Sequence, residues 1–213
     1  MLDSYRHQGL RKKLVDELRM KGIEDEQVLE VIGRIPRHCF IDSTFDAYAY
    51  QDKSFYIGEG QTISQPFTVA VQTVLLEVAS GDKILEVGTG SGYQALTLDW
   101  LGADVFSVER QKKLYLKTKQ LLTKFKSTVK IFYGDGYLGL PVYAPFDKII
   151  VTCGAPIIPS ALIEQLKIGG IMIVPLGEKK QIMTKVIKIS DKDIKVTEHG
   201  DFNFVPMLSE KVR

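Results

Sequence analysis

One segment near the middle of the chain restricts the fold more than any other. Ile84-Leu85-Glu86-Val87-Gly88-Thr89-Gly90-Ser91-Gly92-Tyr93-Gln94 is an apolar β-rich run that enters a glycine-rich turn and leaves in a helical pattern. Glycines at such a turn permit a tight reversal and let the backbone approach a ligand closely. From Lys83 onward, short β-rich runs (KILEV, DVFSV, VKIFY, KIIVT, IMIVP) alternate with helical patterns such as YQALTLDWLG and QKKLYLKTKQLLTKF. The alternation predicts an α/β fold with right-handed βαβ crossovers and a mostly parallel sheet. After Gly177 the pattern turns hairpin-like, with TKVIKIS and IKVTEH flanking DKD and DFNFVPM following, so an antiparallel C-terminal edge is expected.

Ahead of the sheet, Leu10, Leu14 and Leu18 precede Gly22, and Val28, Val31, Ile32 and Ile35 precede Pro36, predicting two short amphipathic helices as an N-terminal flank. The segment from Arg37 to Gln65 is rich in aromatics without a sustained period and reads as an ordered loop region of the kind that binds ligands. There is no internal repeat and no second core. A single domain over 1–213 is expected, with 1–65 as helices and substrate or cofactor loop, 66–177 as cofactor-binding core and 178–213 as antiparallel strands.

Composition removes several classes. Hydrophobic content of 45% and charged content of 25% exclude disorder. Lys plus Arg number 28 against 26 acids, and a net charge of +2 gives no global attraction to nucleic acid. VAVQTVLLEVA and IGGIMIVPL are too short or interrupted to cross a bilayer, so no membrane role is expected. Two cysteines, Cys39 and Cys153, and an opening MLDSYRHQGLRKK without an apolar stretch point to a reducing cytoplasm.

A dinucleotide fingerprint wants G-x-G-x-x-G, but here the third glycine, Gly92, comes one residue early and Tyr93 fills its place. That variant reads as a site for a nucleoside without phosphates, against the blander reading that the glycines serve turn packing alone. Glu109 closes DVFSVE roughly 20 residues after the first glycine, where a carboxylate accepts hydrogen bonds from ribose hydroxyls. Asp135, in Tyr133-Gly134-Asp135-Gly136, follows the third strand within reach of an adenine amino group. Taken singly each acid is a strand-end or turn residue. Their joint placement at the carboxyl ends of successive parallel strands marks a binding edge.

The GxGxG turn and the two acids resemble S-adenosylmethionine-dependent methyltransferases of the Rossmann-like class. More narrowly, GEGQTISQPFTVA (Gly58 to Ala70), ILEVGTGSGYQ, SVER, GDG, APFDKIIVT, IPSALIEQLKIGGIMIVPLG and the late FVPM are similar to the protein-L-isoaspartate O-methyltransferases. The likeness is nearly continuous from Gly58 to Gly177 and resumes at Phe204, and TIS-x-P is its most specific piece. It implies a seven-stranded sheet, S-adenosyl-L-methionine as methyl donor with S-adenosyl-L-homocysteine as product, and isoaspartyl-containing proteins and peptides as substrates; a cytoplasmic monomer without a metal is expected. It further implies Ser64 as the active-site residue. Cofactor contacts would come from Thr62, Ile63, Gln65, Glu86, Gly88, Thr89, Gly90, Ser91, Gly92, Glu109, Asp135 and Gly136. Substrate contacts would come from Thr62, Val205 and Pro206. Thr68, where a methionine or histidine is expected, and TCGAP, where an alanine-rich stretch is expected, depart from the pattern and bear on substrate preference.

A sulfonium is already a strong methyl donor, and a carboxylate with a pKa near ~4 is already ionised at neutral pH, so no strong general base is required. Catalysis can come from alignment of oxygen, methyl and sulfur at roughly 3–3.5 Å with water excluded. Ser64 and Thr62 offer neutral hydroxyls that orient a carboxylate without damping its nucleophilicity. By position alone Ser64 reads equally as an N-cap before Pro66; the resemblance favours catalysis. Phe204-Val205-Pro206 is either a peptide-pairing segment or a plain terminal strand. Esterification would make the carboxyl a good leaving group, so that a succinimide reforms and can open to normal aspartate. Two other readings stay open: methylation of another carboxylate or hydroxyl, and a non-catalytic S-adenosylmethionine-binding regulator.

Other signals carry less. Tyr115 and Lys119 have dehydrogenase-like Y-x-x-x-K spacing but sit on a lysine-rich helix face. His7, His38 and His199 show no ligand spacing. Cys153 reads as a buried small hydrophobe near the pocket, and TCGA is not the D/N-P-P-Y/W motif with which amine methyltransferases receive nitrogen.

Overall fold

In the computed structural model, which describes residues 3–212, the chain opens with α1 (Tyr5–Met20) and α2 (Glu26–Arg34). Short 3-10 turns, Arg37–Phe40 and Ser43–Tyr48, lead to a hairpin of β1 (Phe55–Gly58) and β2 (Gln61–Ile63), and then to α3 (Pro66–Leu76). The alternating part follows: β3 (Lys83–Val87), α4 (Tyr93–Trp100), β4 (Asp104–Glu109), α5 (Lys112–Lys124), β5 (Lys130–Tyr133) and β6 (Phe146–Val151). It closes with α6 (Ser160–Gln165), β7 (Leu166–Leu176), β8 (Gln181–Lys188) and β9 (Ile194–Phe202). No helix among the described residues is long and apolar enough to cross a membrane.

Strands β3 to β9 form one seven-stranded sheet in the order β5-β4-β3-β6-β7-β8-β9. The pairings from β5 across to β7 are parallel, while β8 and β9 are antiparallel. Chain order runs outward from β3 to β5 and then returns to β6 on the other side of β3. Such a reversal leaves a crevice at the carboxyl ends of the two central strands.

Side chains alternate across a strand, so β3 feeds two cores. Ile84 joins Val105, Ile150 and Ile173 on the face covered by α1, α2 and α3. Leu85 and Val87 join Phe106, Ile149 and Val151 on the face that packs against Leu162 and Leu166. The N-terminal helices are thus fixed to the sheet through a shared apolar layer. In α1 the buried face is His7, Arg11, Leu14 and Leu18, with Leu10 only partly covered. Arg11 can be buried because its guanidinium is matched, donating to Gly33 O at 2.7 Å, to Asp3 at 2.9 and 3.1 Å, and to the Tyr50 hydroxyl at 3.1 Å.

Two local expectations change. Only Asp201 and Phe202 of DFNFVPM join the antiparallel edge, as the last residues of β9. Pro206 has no N–H for a ladder. The chain instead turns back over the sheet, where Gly154 N–H donates to Val205 O at 2.8 Å and Met207 N–H to Gly154 O at 2.7 Å. Nor is Ser64 the cap of α3. The N-cap is Gln65, whose side chain makes no capping bond.

The cap of α3 comes from far away. Asp52 Oδ1 accepts the Phe67 N–H at 2.7 Å, while Oδ2 accepts from Lys21 Nζ at 2.7 Å. A side-chain cap contributes about 1 kcal/mol. Asp52→Ala should therefore lower the unfolding free energy by about 1–2 kcal/mol, read as a shift in urea midpoint. An unchanged midpoint would show that the helix start is held by packing alone.

Candidate active site

The site begins where β3 ends. Gly88 has φ +99° and donates its N–H to Val108 O at 2.9 Å. A Cβ there would lie 2.7 Å from Thr152 Oγ1. Gly92, at φ +85°, is the N-cap of α4, and a Cβ on it would meet Thr118 Cγ2 at 2.6 Å. Both positions combine a left-handed backbone with a crowded approach, so only glycine fits.

Between them, Gly90 N–H donates to Glu109 Oε2 at 2.8 Å, and Gln111 N–H donates to Oε1 at 2.8 Å. Burial pushes the Glu109 pKa up, and these backbone N–H groups oppose the push. Glu86 lies beneath the loop, fully buried. The Ser107 hydroxyl donates to its Oε2 and bonds to the Thr89 hydroxyl at 2.5 Å. Desolvation raises the Glu86 pKa to about 8, so this carboxyl is mostly neutral at pH 7.

A cleft of about 820 Å³ opens at the carboxyl ends of the central strands. One wall is Gly88 to Ser91 with Glu109 and Gly136, a second is Gln61 to Ser64, and a third is Val205 to Leu208. A second, more polar cavity of about 950 Å³ is lined by Ser54, Gln65, Phe67, Thr68 and the chain from Asp201 to Val205. The two cavities share Thr62, Ser64, Thr152 and Val205. Thr152 Oγ1 donates to Gly88 O at 2.6 Å. Neither the Ser64 nor the Thr62 hydroxyl is tied up by the hydrogen bonds formed among the described residues.

Most residues singled out from the sequence reach the cleft: Thr62, Ile63, Ser64, Gly88, Thr89, Gly90, Ser91, Glu109, Gly136, Val205 and Pro206 all line it. Four do not. Gln65 faces the second cavity. Gly92 is occupied with helix packing. Glu86 supports the loop from below through Ser107 and Thr89. Asp135 is absent from the wall; its Oδ1 accepts the Tyr137 N–H at 2.9 Å and its Oδ2 the Glu210 N–H at 2.7 Å, which fastens the C-terminal segment.

Other wall residues escaped the sequence reading, chiefly Gln72, Tyr93, Gln94, Arg110, Thr152 and Met207. Tyr93, Gln94, Arg110, Thr152 and Met207 stood in quoted motifs, whereas Gln72 carries no motif signal. Cys153 does line the cleft, and burial pushes its thiol up to about 12, which leaves it protonated and inert. Tyr115 and Lys119 lie on the outer side of α5, whose buried face is Leu114, Thr118 and Leu122.

The histidines behave differently from their spacing. His7 stacks on His38 at 3.9 Å, and Asp3, His7 and His38 place ligand-type atoms within 4.8 Å of one another. This cluster belongs to the N-terminal flank and lines neither cavity. His7 Nε2 pairs with Asp46 at 3.1 Å, and the Arg11 guanidinium holds Asp3, so a fixed positive charge already stands where a cation would go.

The Protein-L-isoaspartate(D-aspartate) O-methyltransferase (PCMT) family matches residues 9–212. The chain belongs to this family. A protein-L-isoaspartate O-methyltransferase from Flavobacterium psychrophilum is 57% identical over 212 residues, covering 99% of this chain and all of the relative. Among solved structures, one protein-L-isoaspartate O-methyltransferase superposes with a TM-score of 0.83 at 29% identity, over 92% of this chain and 65% of that one. Another, from Plasmodium falciparum and in complex with S-adenosyl-L-homocysteine, gives 0.82 at 25% identity, over 93% of this chain and 98% of that one. The family resemblance read from TIS-x-P and GxGxG therefore holds, and the expected seven-stranded sheet with its antiparallel edge is present.

The buried carboxyl of Glu86 makes stability depend on pH. Its pKa is raised from 4.5 unfolded to about 8 folded. Its contribution is complete below the unfolded value and is lost as pH rises toward the folded one, at about 1.4 kcal/mol per unit of displacement. Glu86→Gln carries no such dependence. Comparing urea midpoints at about pH 5 and about pH 8, wild type should lose ground to Glu86→Gln at the higher pH. Parallel curves would mean that Glu86 is ionised in the folded protein.

Proposed function

We propose that this protein transfers a methyl group from S-adenosyl-L-methionine to the free carboxylate of L-isoaspartyl residues in proteins and peptides, starting their repair through a succinimide. The observation that carries the reading is the meeting of the two cavities at Ser64, Thr62, Thr152 and Val205. A donor molecule in the cleft and an acceptor chain in the polar cavity would touch there.

The cleft fits the donor. Glu109 presents an acid for ribose hydroxyls, and the glycine loop leaves room for a nucleoside without phosphates. Gln72 Oε1 and Gln94 Oε1 are buried acceptors without a partner among the described residues, so the wall favours a ligand bearing N–H donors or positive charge. When bound, S-adenosyl-L-methionine supplies a methyl group activated by its sulfonium and leaves as S-adenosyl-L-homocysteine.

The protein's task is alignment. Ser64 and Thr62 orient the acceptor carboxylate with neutral hydroxyls, so its nucleophilicity is kept and no proton has to be removed. Val205 and Pro206 present extended backbone to the acceptor chain. Asp135 acts indirectly by holding the segment that walls the cleft. The unpaired thiols Cys39 and Cys153 accord with a reducing cytoplasm, and we read the enzyme as a monomer in which 1–65, 66–177 and 178–213 work as one unit.

Ser64→Ala should lower turnover by about 10- to 1000-fold while S-adenosyl-L-homocysteine affinity changes little. Normal turnover would remove Ser64 from the reaction. Glu109→Ala should weaken that affinity by about 1–3 kcal/mol in a calorimetric titration. A paired assay settles the acceptor: two peptides differ only in an isoaspartyl or an ordinary aspartyl linkage, and only the first should be methylated efficiently. Equal labelling of both would leave a general carboxyl methyltransferase, and labelling of neither would point to another acceptor or a binding protein.

A further inference from the structure

An arginine stays charged when buried, and withdrawing it from water is costly unless its donors are matched. Arg37 is fully buried, and no salt bridge to it is formed among the described residues. It opens the 3-10 turn Arg37–Phe40. Its Nε donates to Ala49 O at 3.1 Å, and its Nη2 donates both to Lys53 O and to Ser64 O at 3.0 Å. Its Cζ stands 5.0 Å from the ring centroid of Tyr93, the residue that follows the glycine turn and lines the cleft. Nη1 has no partner among the described residues. Burial brings the Arg37 pKa down to about 10, which leaves the group charged at neutral pH.

This guanidinium therefore ties the carbonyls of Ala49, Lys53 and Ser64 together and lies over Tyr93, the residue that follows the glycine turn. The Ser64 hydroxyl needs such an external hold. Its side chain caps no helix, and its place at the junction of the two cavities is set by its backbone. On the following side the chain is fixed by the Asp52 cap on Phe67; on the carbonyl side it is fixed by Arg37.

We propose that Arg37 is a positioning residue for methyl transfer, its planar fork holding the Ser64 carbonyl so that the Ser64 hydroxyl faces the acceptor carboxylate. The inference rests on the reading of Ser64 given above. A lysine would keep the charge but has neither the fork nor the planar guanidinium that lies over the Tyr93 ring.

The test is Arg37→Lys, with turnover expressed per S-adenosyl-L-homocysteine-binding site counted by calorimetric titration. Displacing a reacting group by about 1 Å costs roughly 100-fold, so turnover per site should fall about 10- to 100-fold, with peptide KM and S-adenosyl-L-homocysteine Kd within about threefold of wild type. A residue needed only for stability would reduce the number of binding sites and leave turnover per site unchanged. That result overturns the proposal.

Should Arg37→Lys bind no S-adenosyl-L-homocysteine, the wild-type enzyme supplies the answer through side-chain NMR of isotope-labelled arginine. The Arg37 Nε–H signal should move when isoaspartyl peptide is added to the S-adenosyl-L-homocysteine complex, and a stationary signal overturns the proposal. Wild-type enzyme that methylates no isoaspartyl peptide would remove the reading of the site itself. An active wild type beside an unaltered Arg37→Lys removes only the role of Arg37.

Discussion

Parallel pairing of β3 with β4 on one side and β6 on the other is the constraint from which the site follows. A strand hydrogen-bonded on both edges and packed on both faces has no freedom until its last residue, and the chain must then leave through whatever space its neighbours allow. Val108 O takes the Gly88 N–H, and Thr152 crowds the position of any Cβ. The exit is consequently a left-handed glycine turn. The same pairing lays Gly88, Glu109 and Thr152 at adjacent strand ends, which gathers residues from three parts of the chain along one rim.

Electrostatics at that rim follows from burial. Glu86 is mostly neutral at pH 7 because burial desolvates it and the single hydroxyl of Ser107 offsets only part of that. Glu109, close by, is offered two backbone N–H groups. Two carboxyls on neighbouring strands thus receive different environments, one suited to supporting a loop and the other to meeting polar hydrogens of a ligand. The junction with the second cavity carries the hydroxyls of Thr62, Ser64 and Thr152, which suits a reaction whose acceptor arrives already ionised.

The sequence made the frame legible because its signals are periodic or local. Alternating β-rich and helical runs specify parallel strands with crossovers, and TKVIKIS with IKVTEH around DKD specifies the hairpin β8-β9. Motifs located neighbourhoods better than they located facing surfaces. Glu86 ends up on the strand before the glycine turn and Asp135 in the turn after β5, yet the first lies beneath the loop and the second is bonded to Glu210. Which side a carboxylate takes depends on hydroxyl and N–H donors contributed by distant segments, Ser107 in the first case and Glu210 in the second. Arg37 and Arg11 were invisible for a related reason: a buried arginine is matched by carbonyls and side chains scattered through the fold, and no spacing announces them. His7 and His38 likewise meet only because α1 folds back over the turn that carries His38.

The segment beyond β9 has a consequence for motion. Its hold on the sheet includes the bonds at Gly154, the Asp135 carboxylate on the Glu210 N–H, the Arg110 guanidinium bonds to the carbonyls of Ser209 and Glu210, and the backbone exchange that joins Val212 to Arg110 and Lys112. Few of these bonds are buried under apolar side chains, and regions of that kind open locally at small free-energy cost. These bonds secure the wall from Val205 to Leu208, so fraying of this stretch and escape of a molecule from the cleft break the same contacts. Ligand residence time and local hydrogen-exchange protection should rise and fall together in this enzyme.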